Sequence, residues 1–300
     1  LAALALGIKP GDEIIVPNFT MVATPNSITM IGAEPVFVDV EPETLCIDLD
    51  QIKQSLTTKT KAIMLVSANG RQPKTNLKSY FEFAKDNNLK IIEDAAQSLG
   101  SYYDNRTHVG LKGEIGSFSF SMPKIITTGQ GGALVTNNAE LANKIRKLKD
   151  FGRTAGGSDI HDSVGYNSKF TEMQAVIGLE QIKKLDFRIE RKKEIWKRYR
   201  DNLLATDKIS LFNHNLDLTT PWFIDSLCED RENLMAFLKE SSIGTRVMYP
   251  PLNEQECYRV KGDFPISQDV GERGLWLPSY TQLSDEDIDY ISDQIIKFYS

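Results

Sequence analysis

Between Glu13 and Thr136 the chain repeats one pattern, a strand-length apolar run with no polar alternation followed by a turn or a helical stretch. Glu13-Ile14-Ile15-Val16 follows the turn Pro10-Gly11-Asp12. Val36 to Val40 follows Gly32-Ala33-Glu34-Pro35, and Ala62 to Val66 precedes a helical stretch through Tyr80 and Phe83. Lys90-Ile91-Ile92-Glu93 and Gly132 to Thr136 continue the series, Gly116 to Phe120 adds a strand-length run in which serines alternate with phenylalanines, and Ala139 to Lys149 returns to helix. A strand that is apolar at every position has both faces buried, and strands separated by helices pair in parallel, so the pattern predicts an α/β fold with helices on both faces of a mainly parallel sheet. Such sheets bind ligands at the carboxyl ends of their strands, which places Asp94 at a binding edge.

After Thr171 the apolar spacing changes. Met173, Val176, Ile182, Leu185, Ile189, Trp196, Tyr199 and Leu203 recur at helical intervals and predict one long stripe, with the basic run Arg188 to Lys193 on the solvated faces. Beyond Asp207 the segments shorten and mix, and Ser284 caps a closing helix with Ile288, Ile291, Ile295 and Phe298 on one face. This organisation predicts a large domain over 1–189 and a smaller α+β domain over 190–300. The opening Leu1 to Leu6 reads as the end of a helix capped by Gly7, and we expect the native N-terminus to lie before it.

Composition narrows the function. A net charge of −6, from 35 basic and 41 acidic residues, argues against a nucleic-acid binder. No apolar run approaches the roughly 20 residues that cross a bilayer. Cys46, Cys228 and Cys257 are odd in number and show no CxxC spacing, which points to a reducing compartment, the cytoplasm. His108, His161 and His214 are scattered, and no metal-ligand set is expected.

The chemistry-bearing residues lie between the fourth and sixth apolar runs. Lys124 falls between the Phe/Ser-rich run Phe118 to Pro123 and the glycine loop Gly129-Gln130-Gly131-Gly132. Loss of solvent there lowers an ammonium pKa and makes the amine a nucleophile toward carbonyls. The plain alternative is one more surface lysine. A strand-end aspartate such as Asp94 can hold a protonated heteroaromatic nitrogen, which is how proteins keep pyridoxal phosphate an electron sink; its plain alternative is a turn or cap. Ser119 can donate to a phosphate or simply face a helix. The glycines permit close backbone approach, without the Gly-Lys-Ser/Thr of a Walker loop.

Taken in order, Glu93-Asp94-Ala95-Ala96-Gln97, Gly116 to Phe120, Lys124, Thr127 to Gly132 and Gly165-Tyr166-Asn167 resemble the nucleotide-sugar aminotransferases, the pyridoxal phosphate-dependent family named after DegT. The resemblance runs from Gly11 to Pro17 at the front to Glu272 to Ser279 at the end. It implies fold type I, a homodimer with a seven-stranded large-domain sheet, pyridoxal 5'-phosphate as cofactor, and transfer of an amino group from glutamate to the ketone of a nucleotide-linked 4-keto-6-deoxy sugar for surface polysaccharide. By the same resemblance Lys124 carries the cofactor and moves a proton, Asp94 faces the pyridine nitrogen, Gln97 lies near its phenolic oxygen, and Ser119 binds the phosphate. Asn167 reaches the phosphate of a neighbouring subunit. The Gly-Thr phosphate loop of the family is expected before Leu1.

Three positions depart from the family pattern. Met21 stands where an aromatic ring usually stacks on the cofactor, Asn253 where relatives often have histidine, and Gln130 where an acid is common. A thioether can still pack on a π-face, whereas an amide cannot carry a proton. Gly244 to Pro251 and Glu272 to Leu275 are similar to enzymes that make 4-amino-4,6-dideoxy sugars such as perosamine or viosamine, with Arg246 as a candidate substrate contact. GDP, UDP and dTDP all remain open as the nucleotide. Two rival readings stand beside this one. A sugar dehydratase of the same family usually replaces the lysine with histidine, and a noncatalytic regulatory relative would not need Asp94, Gln97, Ser119 and Lys124 together.

Overall fold

The computed structural model describes residues 1–300. After the short helix α1 (Ala2–Ala5), the first half alternates β1 (Glu13–Pro17), α2 (Ala23–Thr29), β2 (Glu34–Val38), α3 (Leu49–Gln54), β3 (Thr60–Val66), α4 (Leu77–Asp86) and β4 (Lys90–Asp94). β5 (Ile115–Ser119), β6 (Gly132–Val135) and α5 (Ala139–Leu148) complete it. The strands form one sheet in the order β2-β1-β3-β4-β5-β6, parallel except for β6, which runs antiparallel to β5.

The continuous apolar strands are explained by what each face meets. Ile14, Val16, Ala62, Met64 and Ile92 point to one side and pack with Ala3 of α1 and Ile28 of α2. Ile15, Ile63, Leu65 and Ile91 point to the other and pack with Ile52 of α3 and with Tyr80 and Ala84 of α4. Each large apolar side chain contributes roughly 1.5–3 kcal/mol by leaving water, and a polar residue on either face is costly unless it is hydrogen-bonded, as Glu93 of β4 is. The sheet has six strands, one fewer than the resemblance implies. The residues ahead of β1 form α1 and turns rather than a strand, and β6 is left as an edge.

The second half holds α6 (Glu172–Ile182), α7 (Leu185–Leu203), β7 (Ile209–Leu211), β8 (Ile224–Cys228), α8 (Arg231–Glu240), β9 (Arg246–Val247), α9 (Pro265–Arg273), β10 (Gly274–Leu277) and α10 (Asp285–Tyr299). Its antiparallel sheet runs β7-β8-β10-β9. Ile195, Trp196, Tyr199 and Leu203 of α7 join Leu234 and Leu238 of α8 and Ile288, Ile291 and Ile295 of α10 in one core against it. Ser284 caps α10 in a reciprocal capping box with Asp287, as its sequence predicts.

The long stripe expected from Met173 to Leu203 is two helices, broken at Lys183 and Lys184. Trp196, Tyr199 and Leu203 are buried, while Met173, Val176 and Ile182 are exposed. The division expected at 189/190 falls inside α7. Arg188 of this helix donates to the carbonyl of Ile125 on the large-sheet side, whereas Ile195 onward belongs to the small core. The later chain also returns to the large sheet, where Asp39 accepts from the backbone N–H groups of Ile266 and Ser267 at the start of α9. No helix is long and apolar enough to cross a membrane.

Candidate active site

The carboxyl ends of the central strands open into a cavity of about 1180 Å³ whose lining includes Met21, Thr24, Asp94, Gln97, Ser119 and Lys124. Strand alternation separates the neighbouring acids Glu93 and Asp94. Glu93 is buried on the other side, where it accepts from Tyr103 Oη and from the N–H groups of Gly110 (3.1 Å), Lys112 (2.6 Å) and Gly113 (2.7 Å). It therefore fixes the loop that leads into β5. Asp94 ends β4 facing the cavity, with Oδ2 accepting from Thr24 Oγ1 at 2.8 Å and Oδ1 accepting from Ala96 N–H at 3.1 Å. A carboxylate offers about four acceptor sites, so these two bonds orient the group and leave capacity for a cationic partner. Asp94 thus serves its turn and faces the cavity at once.

Gln97 is buried and its Oε1 accepts from Asn69 N–H at 2.7 Å. Ser119, the last residue of β5, donates from Oγ to Ser121 Oγ at 3.1 Å. Lys124 follows in the turn before β6, its N–H bonded to the carbonyl of Ser121 at 3.1 Å. The glycine loop then closes tightly. Gly131 has φ +142°, and a Cβ there would come within 2.5 Å of the Phe170 ring, so this is a position only glycine fills without strain.

The Lys124 amine makes no hydrogen bond and no ion pair within the chain. Its Nζ lies 3.7 Å from the centroid of the Trp222 ring. Burial pulls its pKa down to about 8, against a smaller upward pull from Asp94. A lysine in this state keeps an appreciable neutral fraction near neutral pH, which nucleophilic attack on a carbonyl requires.

Other predicted positions are placed as follows. Met21 lines the cavity beside Asp94, half-exposed, with Sδ accepting from Ala23 N–H at 3.0 Å. Arg246 also lines it, its guanidinium carbon 5.4 Å from the centroid of Trp276. Asn167 is exposed, pairs with Asp150 through a backbone bridge, and is not among the residues lining this cavity. Gln130 lies on the rim, where its carbonyl accepts from Thr128 Oγ1 and Gln174 Nε2. Asn253 is buried in a reciprocal pair with Asn18, donating N–H to Oδ1 at 2.8 Å and accepting from Nδ2 at 2.7 Å. Its work here is structural, tying the loop before α9 to the end of β1.

Sequence reasoning missed the aromatic wall and what holds it. Trp222 and Phe223 stack with centroids 4.0 Å apart, and Trp276 and Tyr249 extend the wall. Asn69 grips this wall from the large sheet, its Oδ1 accepting from the N–H groups of Trp222 (2.8 Å) and Phe223 (2.7 Å). The basic run Arg188 to Lys193 is also not wholly solvated. Lys192 is 7% exposed, and Arg188 donates to Gln181 and to the carbonyl of Ile125. The signal lay in the spacing, because Lys192 follows Ile189 by three and precedes Trp196 by four, on the buried stripe itself.

A phosphorylated pyridine aldehyde fits this donor set. There is an unbonded amine of lowered pKa, an oriented carboxylate with free lone pairs, a hydroxyl at a strand end, and apolar walls for a flat ring. The match to known proteins agrees. The model of the DegT/DnrJ/EryC1/StrS aminotransferase family matches residues 1–296. The chain is 39% identical over 304 residues to GDP-perosamine synthase of Escherichia coli O157:H7, covering 100% of this chain and 82% of that one. Its structure resembles a DegT DnrJ EryC1 StrS aminotransferase from Brucella abortus with a TM-score of 0.91 at 30% identity, over 100% of this chain and 82% of that one. It also resembles NtdA of Bacillus subtilis, solved with bound cofactor PMP, with a TM-score of 0.88 at 28% identity over 99% of this chain and 70% of that one. With its type I fold and this constellation at the strand ends, the chain belongs to the pyridoxal phosphate-dependent DegT/DnrJ/EryC1/StrS aminotransferase family.

Proposed function

We propose that this aminotransferase moves an amino group from glutamate to C4 of a nucleotide-linked 4-keto-6-deoxy sugar, in the synthesis of a surface polysaccharide. The observation that carries the reading is the Lys124 amine, depressed to about 8 and opposite Asp94 in a cavity with room for a sugar nucleotide. The 39% identity to GDP-perosamine synthase favours the 4-position and a GDP-linked sugar.

Asp94, Gln97, Ser119, Met21 and Lys124 would hold the cofactor, which supplies an electron sink for charge that develops on the adjacent carbon. Thr24 and the Ala96 N–H keep the Asp94 carboxylate turned into the cavity, where it would pair with the ring nitrogen of the bound cofactor. Lys124 takes the α-proton of glutamate on Nζ and later delivers a proton to C4 of the sugar. Both directions need a group whose pKa is near the working pH, which burial provides. Trp222 and Phe223 keep water from one side of that amine. Arg246, held over Trp276 at the far end of the same aromatic wall, is placed to meet the anionic part of the sugar nucleotide.

A homodimer in the cytoplasm completes the reading. Met173, Val176, Leu179 and Ile182 expose an apolar face on α6 that the chain itself does not cover, and Asn167 stands away from its own cavity. The free cysteines Cys46, Cys228 and Cys257 suit a reducing compartment. The test is turnover of GDP-, UDP- and dTDP-linked 4-keto-6-deoxy sugars with glutamate, followed by mass spectrometry of the sugar. Formation of a 4-amino sugar with 2-oxoglutarate supports the proposal. A deoxygenated sugar would establish the dehydratase instead, and no reaction with any of the three would overturn the substrate assignment.

A further inference from the structure

Lys192 sits in the middle of α7, 7% exposed, with its ammonium pointing out of the small-domain core toward the active-site wall. Its Nζ donates to the carbonyl of Trp222 at 2.7 Å, to the carbonyl of Ser279, and weakly to Ser279 Oγ at 3.4 Å. Three oxygens around one ammonium satisfy all of its donors, which is what a buried lysine needs to stay folded in. The choice of acceptors matters. Trp222 is the residue whose ring lies over the Lys124 amine, and its indole Nε1 donates to the carbonyl of Pro123, the residue before Lys124. Asn69 holds the Trp222 N–H from the large-sheet side, and Lys192 holds its carbonyl from α7. The Trp222 peptide is therefore fixed at both ends, and its side chain at the tip.

We propose that Lys192 is a positioning residue for the reactive amine, acting through the main chain of Trp222 to keep the indole face over Lys124. Without the Lys192 donor, two carbonyls lose a charged partner, the Trp222 peptide is held by Asn69 alone, and water gains access to Lys124. The inference rests on Lys124 being the reactive amine, and adds that its state is set partly from α7.

The test is the rate of acylation of Lys124 by a water-soluble amine reagent near neutral pH, read by peptide mass spectrometry on the full chain. It is run without cofactor and again with the cofactor in its amino form, which leaves Lys124 free. Relative to wild type, Lys192→Met is expected to slow labelling of Lys124 about tenfold, the change that one unit of pKa produces. Lys192→Gln, which keeps a neutral NH2 donor group on a shorter stem, should slow it only about threefold, a partial rescue. In a Trp222→Ala background, adding Lys192→Met should change the rate less than about twofold, because the path through Trp222 is already gone. Unchanged or faster labelling in a folded Lys192→Met protein overturns the proposal, as does a full tenfold loss in the Trp222→Ala background. If Lys192→Met does not fold, Lys192→Gln decides, and a wild-type rate there is equally fatal. Failure of the aminotransferase reading shows differently, as absence of cofactor attachment to Lys124 in the wild-type chain.

Discussion

Two lysines, Lys124 half-buried and Lys192 buried, mark two regions with opposite logic. At the mouth of the large sheet, Lys124 has no hydrogen-bond acceptor, rests on an aromatic ring and faces an open cavity. At the seam with the small sheet, Lys192 is sealed and gives its protons to carbonyl and hydroxyl oxygens. Burial lowers both pKa values, to about 8 and about 7. A lowered pKa therefore does not separate reactive from structural lysines in this molecule, whereas the count of acceptors does. The seam carries a second buried cation of the bonded kind, Arg71, which pairs with Asp225 at 2.8 Å and donates Nε–H to the carbonyl of Thr44.

The contrast can be broken most directly at its reactive end. Lys124→Ala should reduce turnover by about 10⁴-fold and abolish borohydride fixation of the cofactor to residue 124, with the melting temperature little changed. Arg71→Met is the seam's counterpart. It strands the Asp225 carboxylate, so denaturant unfolding should show a loss of about 3–5 kcal/mol, while kcat per folded molecule is retained. Asp94→Asn should cost about 10²-fold in kcat because the ring nitrogen loses its anionic partner, and an unchanged kcat would remove Asp94 from the proposed machinery.

Acidity sharpens the comparison further. The rate at which the Lys124 amine captures a carbonyl should rise about tenfold per pH unit up to about 8 and then level, as measured by stopped-flow absorbance. For Lys192 the folded pKa of about 7 lies below the value of roughly 10.4 in the unfolded chain, so between these limits the unfolded state binds more protons. Its contribution is a stability that grows as pH rises through that window and is lost as pH falls toward 7. The slope is at most about 1.4 kcal/mol per pH unit, and Lys192→Met should flatten it in urea titrations at a series of pH values.

What the sequence revealed follows from which forces are local. The large sheet was legible because Ile14 and Ile15, or Ile91 and Ile92, are buried on opposite faces, which forces an apolar run that no half-exposed strand needs. Asp94 was legible because a strand end inherits its place from the sheet. The break at Lys183 and Lys184 was not, since neither residue is a helix breaker and the apolar spacing continues across it. Lys192 was missed because a charge was read as exposure, although its position on the stripe argued the reverse. Trp222 and Asn69 meet only through tertiary folding, 153 residues apart, and no local spacing announces such a contact.

The pairing of Asn18 with Asn253 has one more consequence. A joint made of two carboxamides has no proton to gain or lose across the physiological range. The frame that ties the end of β1 to the loop before α9 is thus indifferent to acidity, and it keeps the same shape whether the Lys124 amine is charged or neutral. A histidine at that place would make the frame itself titrate, so that scaffold and chemistry would answer to pH together; the amide uncouples them.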